Sequence, residues 1–239
     1  MMAYRLFYWP GLPGRGEFVR MALEAAEIPY SEPARDDGVE ALLSDMEKRE
    51  EAGGFAPFAP PYLVDGDVAV AQVAHILTWL ADRHGLGGDD LKTDLGLIQL
   101  QLTITDIVAE VHNVHHPVGS GAYYDDQKDE AKRAAAQFRE DRIPKFLGHF
   151  ERAAALHDGP FVLGGKWTHV DSSLALLIDG LHYMFPKRMA AVKGDYPKLH
   201  ALRDAFVDLP AINAYRVSDR CQNFNEDGIF RHYPELDAA

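Results

Sequence analysis

Up to residue 84 the sequence alternates short extended stretches with helical ones; beyond residue 90 every apolar pattern has the helical period. Between the two lies Gly85-Leu-Gly-Gly-Asp-Asp90, a linker by composition. A chain organised in this way folds as an α/β unit, residues 1–84, followed by an all-helical unit, residues 91–239. In the first part, residues 4–9 (YRLFYW) suit a buried strand. The turn Pro10-Gly-Leu-Pro-Gly14 follows, then a helix over 15–27 with Phe18, Met21, Ala22 and Ala25 on one face. A short extended piece begins at Pro29-Tyr30, and residues 39–50 read as a charged helix broken by Gly53-Gly54. Three prolines bar regular helix from 55–61. Asp65-Gly66 between two apolar runs predicts a hairpin, and residues 72–83 a helix. The order is βαβ, then ββα.

The second part predicts long helices over 91–116, 126–157 and 168–185, and shorter ones over 197–209 and 210–217, each of the last two opened by a proline in the first turn. Thr168-His-Val-Asp171 is a variant of the capping box: threonine oxygen and aspartate can each take a backbone N–H of the other end.

Composition excludes several classes of function. Lys and Arg number 24 against 37 Asp and Glu, a net charge of −13. Nucleic-acid and anionic-membrane binding both require a basic face, so neither is expected. No stretch reaches the ~18–20 apolar residues of a membrane helix, and MMAYRLFYWP lacks the apolar run of a secretory signal. The lone Cys221 rules out a disulfide framework and a Cys-x-x-Cys redox site. A cytoplasmic protein is the expectation.

Tyr8-Trp9-Pro10, Gly14-Arg15, Arg20-Met21, Pro61-Tyr-Leu-Val-Asp-Gly-Asp67, Gln72, Thr168-His-Val-Asp171, Tyr196-Pro197 and Leu209-Pro210, in this order and spacing, resemble the cytosolic glutathione transferases, most nearly the tyrosine-type classes (pi, mu, sigma). The resemblance spans nearly the whole chain. It implies a thioredoxin-like domain that binds glutathione and an all-α domain that shapes the electrophile site. Detoxification by a homodimer, with glutathione as co-substrate and no other cofactor, is the function it implies.

The resemblance also implies roles for single residues. Tyr8 becomes the catalytic residue, donating a hydrogen bond to the glutathione sulfur. Arg15, Lys48, Pro60, Pro61, Gln72, Val73 and Asp106 become the glutathione contacts, with Arg49 as an alternative to Lys48 and with Asp106 reaching the partner subunit's ligand. Trp9, Leu12 and His116 belong to a site for small apolar electrophiles. Pro61 stands for the family's cis-proline.

This sequence departs from the family pattern in three places. The turn after Tyr8 is one residue longer, Pro60 removes a backbone N–H usually offered to the ligand, and Val73 lacks the usual hydroxyl. Those departures keep a non-catalytic binding protein open beside the conjugating enzyme, as are a glutathione-dependent peroxidase or isomerase. His112 and His116 stand i, i+4 on one helix face, a metal-ligand spacing, but together with Glu110 and His115 they read more simply as a polar helix end, and no metal is expected.

Overall fold

A computed structural model describes residues 3–239. The N-terminal unit is a four-stranded sheet in the order β2-β1-β3-β4. Strand β1 (Tyr4–Phe7) runs parallel to β2 (Tyr30–Ser31) and antiparallel to β3 (Tyr62–Asp65), which forms a hairpin with β4 (Val68–Ala71). The parallel pair needs a crossover, and α1 (Gly14–Ala25) supplies it. Its buried Val19 and Leu23 pack with Leu6, Leu63 and Ile76 on one sheet face. The other face is closed by Leu42 of α3 (Val39–Glu51) and by Ala34 of α2 (Pro33–Asp36), a single turn the sequence did not announce. Helix α4 (Val73–His84) follows β4 directly and ends on Gly85, whose φ of 67° requires the residue without a Cβ.

The C-terminal unit is all helical. Helix α5 (Leu91–His115) is capped by Asp90, whose side chain accepts from the N–H groups of Lys92 and Thr93. The single helix expected over 126–157 runs without interruption from α6 (Lys128–Gln137) through one wide π-type turn over Phe138–Arg142 into α7 (Ile143–Ala154). Pro144 is the reason, because it offers no N–H to the carbonyl four residues back and its ring crowds that turn. Helix α8 (His169–Met184) is buried on nearly every side and forms the centre of this unit. It is followed by α9 (Pro186–Val192), which the sequence did not single out, and by α10 (Pro197–Val207) and α11 (Pro210–Arg216).

The two units share one apolar core. Phe18 and Met21 of α1 pack into the cluster built by α5 and α8. A buried ionic knot reinforces the seam. Arg20, fully buried, donates to Glu32 at 2.7 and 2.9 Å and to Glu17 at 3.0 Å, while the Tyr215 hydroxyl of α11 donates to Glu17 at 2.8 Å. Chain beyond α11 drapes back over the molecule, held where Arg35 donates to the Arg220 carbonyl and Arg220 pairs with Glu24. No helix is long and apolar enough to cross a membrane among the described residues.

Candidate active site

The chain leaves β1 at Phe7, so Tyr8 sits at the sheet's end, just before α1 begins. Its phenol oxygen accepts the Arg15 backbone N–H at 2.9 Å, one of the orphan donors of a helix start. The ring can lie this close only because the helix opens on glycines. A Cβ on Gly14 would collide with the Tyr8 hydroxyl, and one on Gly16 would stand 2.6 Å from a ring carbon. Beneath the ring is the Arg20 guanidinium, 5.8 Å from its centroid, which also donates to the carbonyl of Pro13 and so fixes the turn. Burial raises the Tyr8 pKa above the ordinary phenol value, against the lowering by the Arg15 amide and the two arginine charges. The phenol is therefore neutral at pH 7. Its own proton has no acceptor among the described residues.

Beside it opens a cavity of about 310 Å³ between the two units. Arg15, Pro60, Pro61, Gln72 and Val73, all expected on the ligand, are brought together in its walls. The Pro60-Pro61 bond is cis. Gln72 is exposed and has φ 70°, left-handed backbone that a non-glycine residue adopts at a cost of ~1–3 kcal/mol. That geometry turns the chain from β4 into α4 and sets the start of α4, Gln72 and Val73, in the cavity wall; a helix N-terminus suits an anion.

Other expected residues lie elsewhere. Tyr8 borders the cavity through Arg15 without being one of its walls. Asp106 is exposed on α5, next to the lining Thr105, and Lys48 is exposed on α3; neither is among the lining residues. Lys48's neighbour Arg49 is already paired with Asp45 at 2.6 Å. Trp9 (37% exposed) and Leu12 sit in the turn before α1, and His116 near the end of α5.

The sequence reading missed the cavity's far wall: Phe58, and on α5 Gln101, Ile104, Thr105 and Val108. The α5 set recurs at steps of three and four, so a helical wheel could have grouped them, but not said what they face. One turn beyond Val108 on the same face comes His112. Its ring stacks on His116 at 4.9 Å and meets His115 at 5.2 Å. Burial holds His112 down to about 4 and His115 to about 3, and the nearby charge of Arg231 opposes protonation of both. Both are neutral at pH 7. No group of three or more His, Cys, Asp or Glu among the described residues is placed to hold a metal ion.

A thioredoxin-like sheet unit with a tyrosine at the start of its first helix and a cis-proline across the cavity, joined to an all-α unit, defines the glutathione transferase fold. Comparisons agree. Residues 112–219 match the family model described as "Glutathione S-transferase, C-terminal domain". The chain is 27% identical over 220 residues to the glutathione S-transferase class-mu 26 kDa isozyme of Schistosoma mansoni, covering 92% of this chain and 90% of the relative. It is 25% identical over 211 residues to glutathione S-transferase A2 of Bos taurus, covering 88% and 86%. Its fold resembles the pi-class glutathione S-transferase structure of Onchocerca volvulus, with a TM-score of 0.68 at 21% identity, over 90% of this chain and 92% of that one. In sequence and in fold, the chain is similar to the cytosolic glutathione S-transferases.

Proposed function

We propose that this protein conjugates reduced glutathione to small apolar electrophiles, with Tyr8 stabilising the thiolate. The observation that carries the reading is the Tyr8 phenol. It accepts an amide at 2.9 Å, stays neutral, and keeps its proton to donate beside the cavity. A free thiol of pKa near 8.5 is only about 3% thiolate at pH 7. Lowering that pKa by about two units requires roughly 2.7 kcal/mol of preferential stabilisation of the anion. One O–H donor to a charged acceptor supplies ~1.5–3 kcal/mol, and the α1 N-terminus adds to it. The thiol proton leaves to water, and the thiolate attacks the electrophilic carbon, forming the C–S bond as a leaving group departs with its electron pair or as the electrons of an activated double bond shift away and take up a proton from water. Arg15, Gln72 and the amide of Val73 orient the tripeptide, its γ-glutamyl carboxylate at the start of α4. The chemistry invokes no further cofactor.

Function in the cytoplasm as a homodimer belongs to the same reading. Phe55 and Phe58 project from the loop before β3, 107% and 92% exposed. Leu91, Leu95 and Leu102 form an exposed stripe on α5 that continues to Asp106. Apolar surface of this kind is what an obligate dimer covers. Sedimentation equilibrium at micromolar concentration is expected to give twice the 26.6 kDa chain mass, and Phe58→Asp to shift it towards one chain.

Pro60, with no N–H for the ligand, favours a binding-only protein instead. Calorimetric titration with reduced glutathione and with S-hexylglutathione decides whether the site is real, and electrophile turnover then separates enzyme from binder. Micromolar to low-millimolar binding of both ligands is the expected result. Absence of binding at millimolar ligand would sink the reading.

A further inference from the structure

Resting on the transferase reading above, we propose that Gln101 is a further glutathione-binding residue, whose side-chain amide donates to a peptide carbonyl oxygen of the tripeptide in a cavity where two prolines of the wall have no N–H to offer.

Gln101 lies on α5, is fully buried and lines the cavity of about 310 Å³ between the two units. Its side-chain oxygen is engaged on the α8 side. There it accepts the Ser173 hydroxyl at 3.1 Å and stands 3.2 Å from His169 Nδ1. Its Nε2, the other end of the same planar group, is closed off from solvent and meets no acceptor among the described residues. That nitrogen carries two hydrogens. A buried donor left without a partner is costly, and such groups are rare in folded proteins. With the oxygen turned to α8, the nitrogen is the end left for the cavity. Ser173 and His169, both buried, hold the amide from behind.

The rest of the wall shows what such a donor serves. Pro60 and Pro61 form part of it, and neither has a backbone N–H. Beside Gln101 on α5, Ile104 and Val108 are apolar, and the Thr105 hydroxyl already donates to the Gln101 backbone carbonyl at 3.2 Å. Arg15 and Gln72, the other side-chain donors in the wall, stand in the first turn of α1 and at the start of α4. A guanidinium and a helix N-terminus suit carboxylates. Glutathione carries carboxylates at its ends and peptide carbonyls between them. An uncharged amide N–H, held rigidly in a buried wall, matches the uncharged oxygen of a peptide carbonyl. Gln101 therefore supplies a hydrogen bond that the two prolines cannot.

Calorimetric titration of the full chain with glutathione and with S-hexylglutathione tests this role. Gln101→Met is close in volume and has no donor. It is expected to weaken both ligands about five- to tenfold, the worth of one hydrogen bond. The hexyl arm has no acceptor, so an equal loss for the two ligands locates the partner oxygen in the tripeptide. A loss confined to S-hexylglutathione overturns the inference. Thermal melting of the free protein shows whether the variant is folded, and the unmutated protein gives a second reading that does not depend on it. In isotope-labelled protein, the nuclear magnetic resonance signals of the Gln101 side-chain amide are expected to shift on saturation with S-hexylglutathione and to exchange with solvent more slowly. Unmoved amide signals, or a folded Gln101→Met variant with unchanged affinities, overturn the inference while leaving the transferase reading standing. Failure of the unmutated protein to bind either ligand overturns the transferase reading and this inference with it.

Discussion

Tyr8 works through one bond it accepts and one it is free to donate, and the two can be separated by mutation. Tyr8→Phe removes the donor while keeping the ring that fills the space over Gly14 and Gly16. Turnover per active site is expected to fall about 10- to 100-fold, the loss of one hydrogen bond to an anion. The melting temperature should hardly move, and a pKa titration of bound thiol by ultraviolet absorbance should shift upward. Gly16→Ala tests the other half of the arrangement. Its Cβ would stand 2.6 Å from the ring, so Tyr8 or α1 must shift, and both turnover and stability are expected to drop. An alanine variant with unchanged kinetics would mean that the ring's seat does not matter. The sequence made Tyr8 and Gly14 readable, since strand, turn and helix start are local patterns, but not Gly16, whose role shows only against the Tyr8 ring. It did not reveal that Asn225 of the C-terminal segment donates to the Gly11 carbonyl in the turn after Tyr8, because no local period records a tail folding back.

At the level of elements, α8 holds the helical unit together, and its start is held by Asp171. That carboxylate accepts the Thr168 N–H and hydroxyl, both at 2.7 Å, and the Val162 N–H at 2.8 Å. The last bond ties the preceding loop to the helix, which the capping motif in the sequence did not foretell. Asp171→Ala leaves two buried amides and a hydroxyl unpartnered, so a loss of about 3 kcal/mol or more is expected in urea unfolding. Exposed Asp126, by contrast, should tolerate alanine with little change. Helices α5, α8, α10 and α11 were legible from apolar period and proline starts. The long helix through α6 and α7 was legible in the same way; the wide turn within it was not, because the helical period runs straight through it and only Pro144 marks the place.

For the whole molecule, the buried histidines set the response to acid. His112, His115 and His169 are held by burial at about 4, 3 and 4, below the ~6.5 of an unfolded imidazole. Depressed values mean that their contribution to stability is complete above pH ~6.5 and is lost as pH falls through that value towards the folded pKa values. Asp171 acts oppositely: burial raises it to about 6, above the ~3.9 of an unfolded aspartate, so protonation favours the folded state as pH falls from 6 to 4. Three imidazoles outweigh one carboxyl, and the melting temperature is expected to decline between pH 6.5 and 4. His115→Gln should flatten that decline; a slope unchanged by it would show that other groups govern acid unfolding. What the sequence determined by itself was the order of strands and main helices and the turn that leads into the first helix, because strands, turns and caps are fixed by neighbours along the chain. What only the tertiary structure decided was the ionic knot of Glu17, Arg20, Glu32 and Tyr215, the α5 wall and the tail that brings Asn225 onto the Gly11 carbonyl. These depend on which distant groups share a buried space, and burial, not sequence spacing, sets their charge and their chemistry.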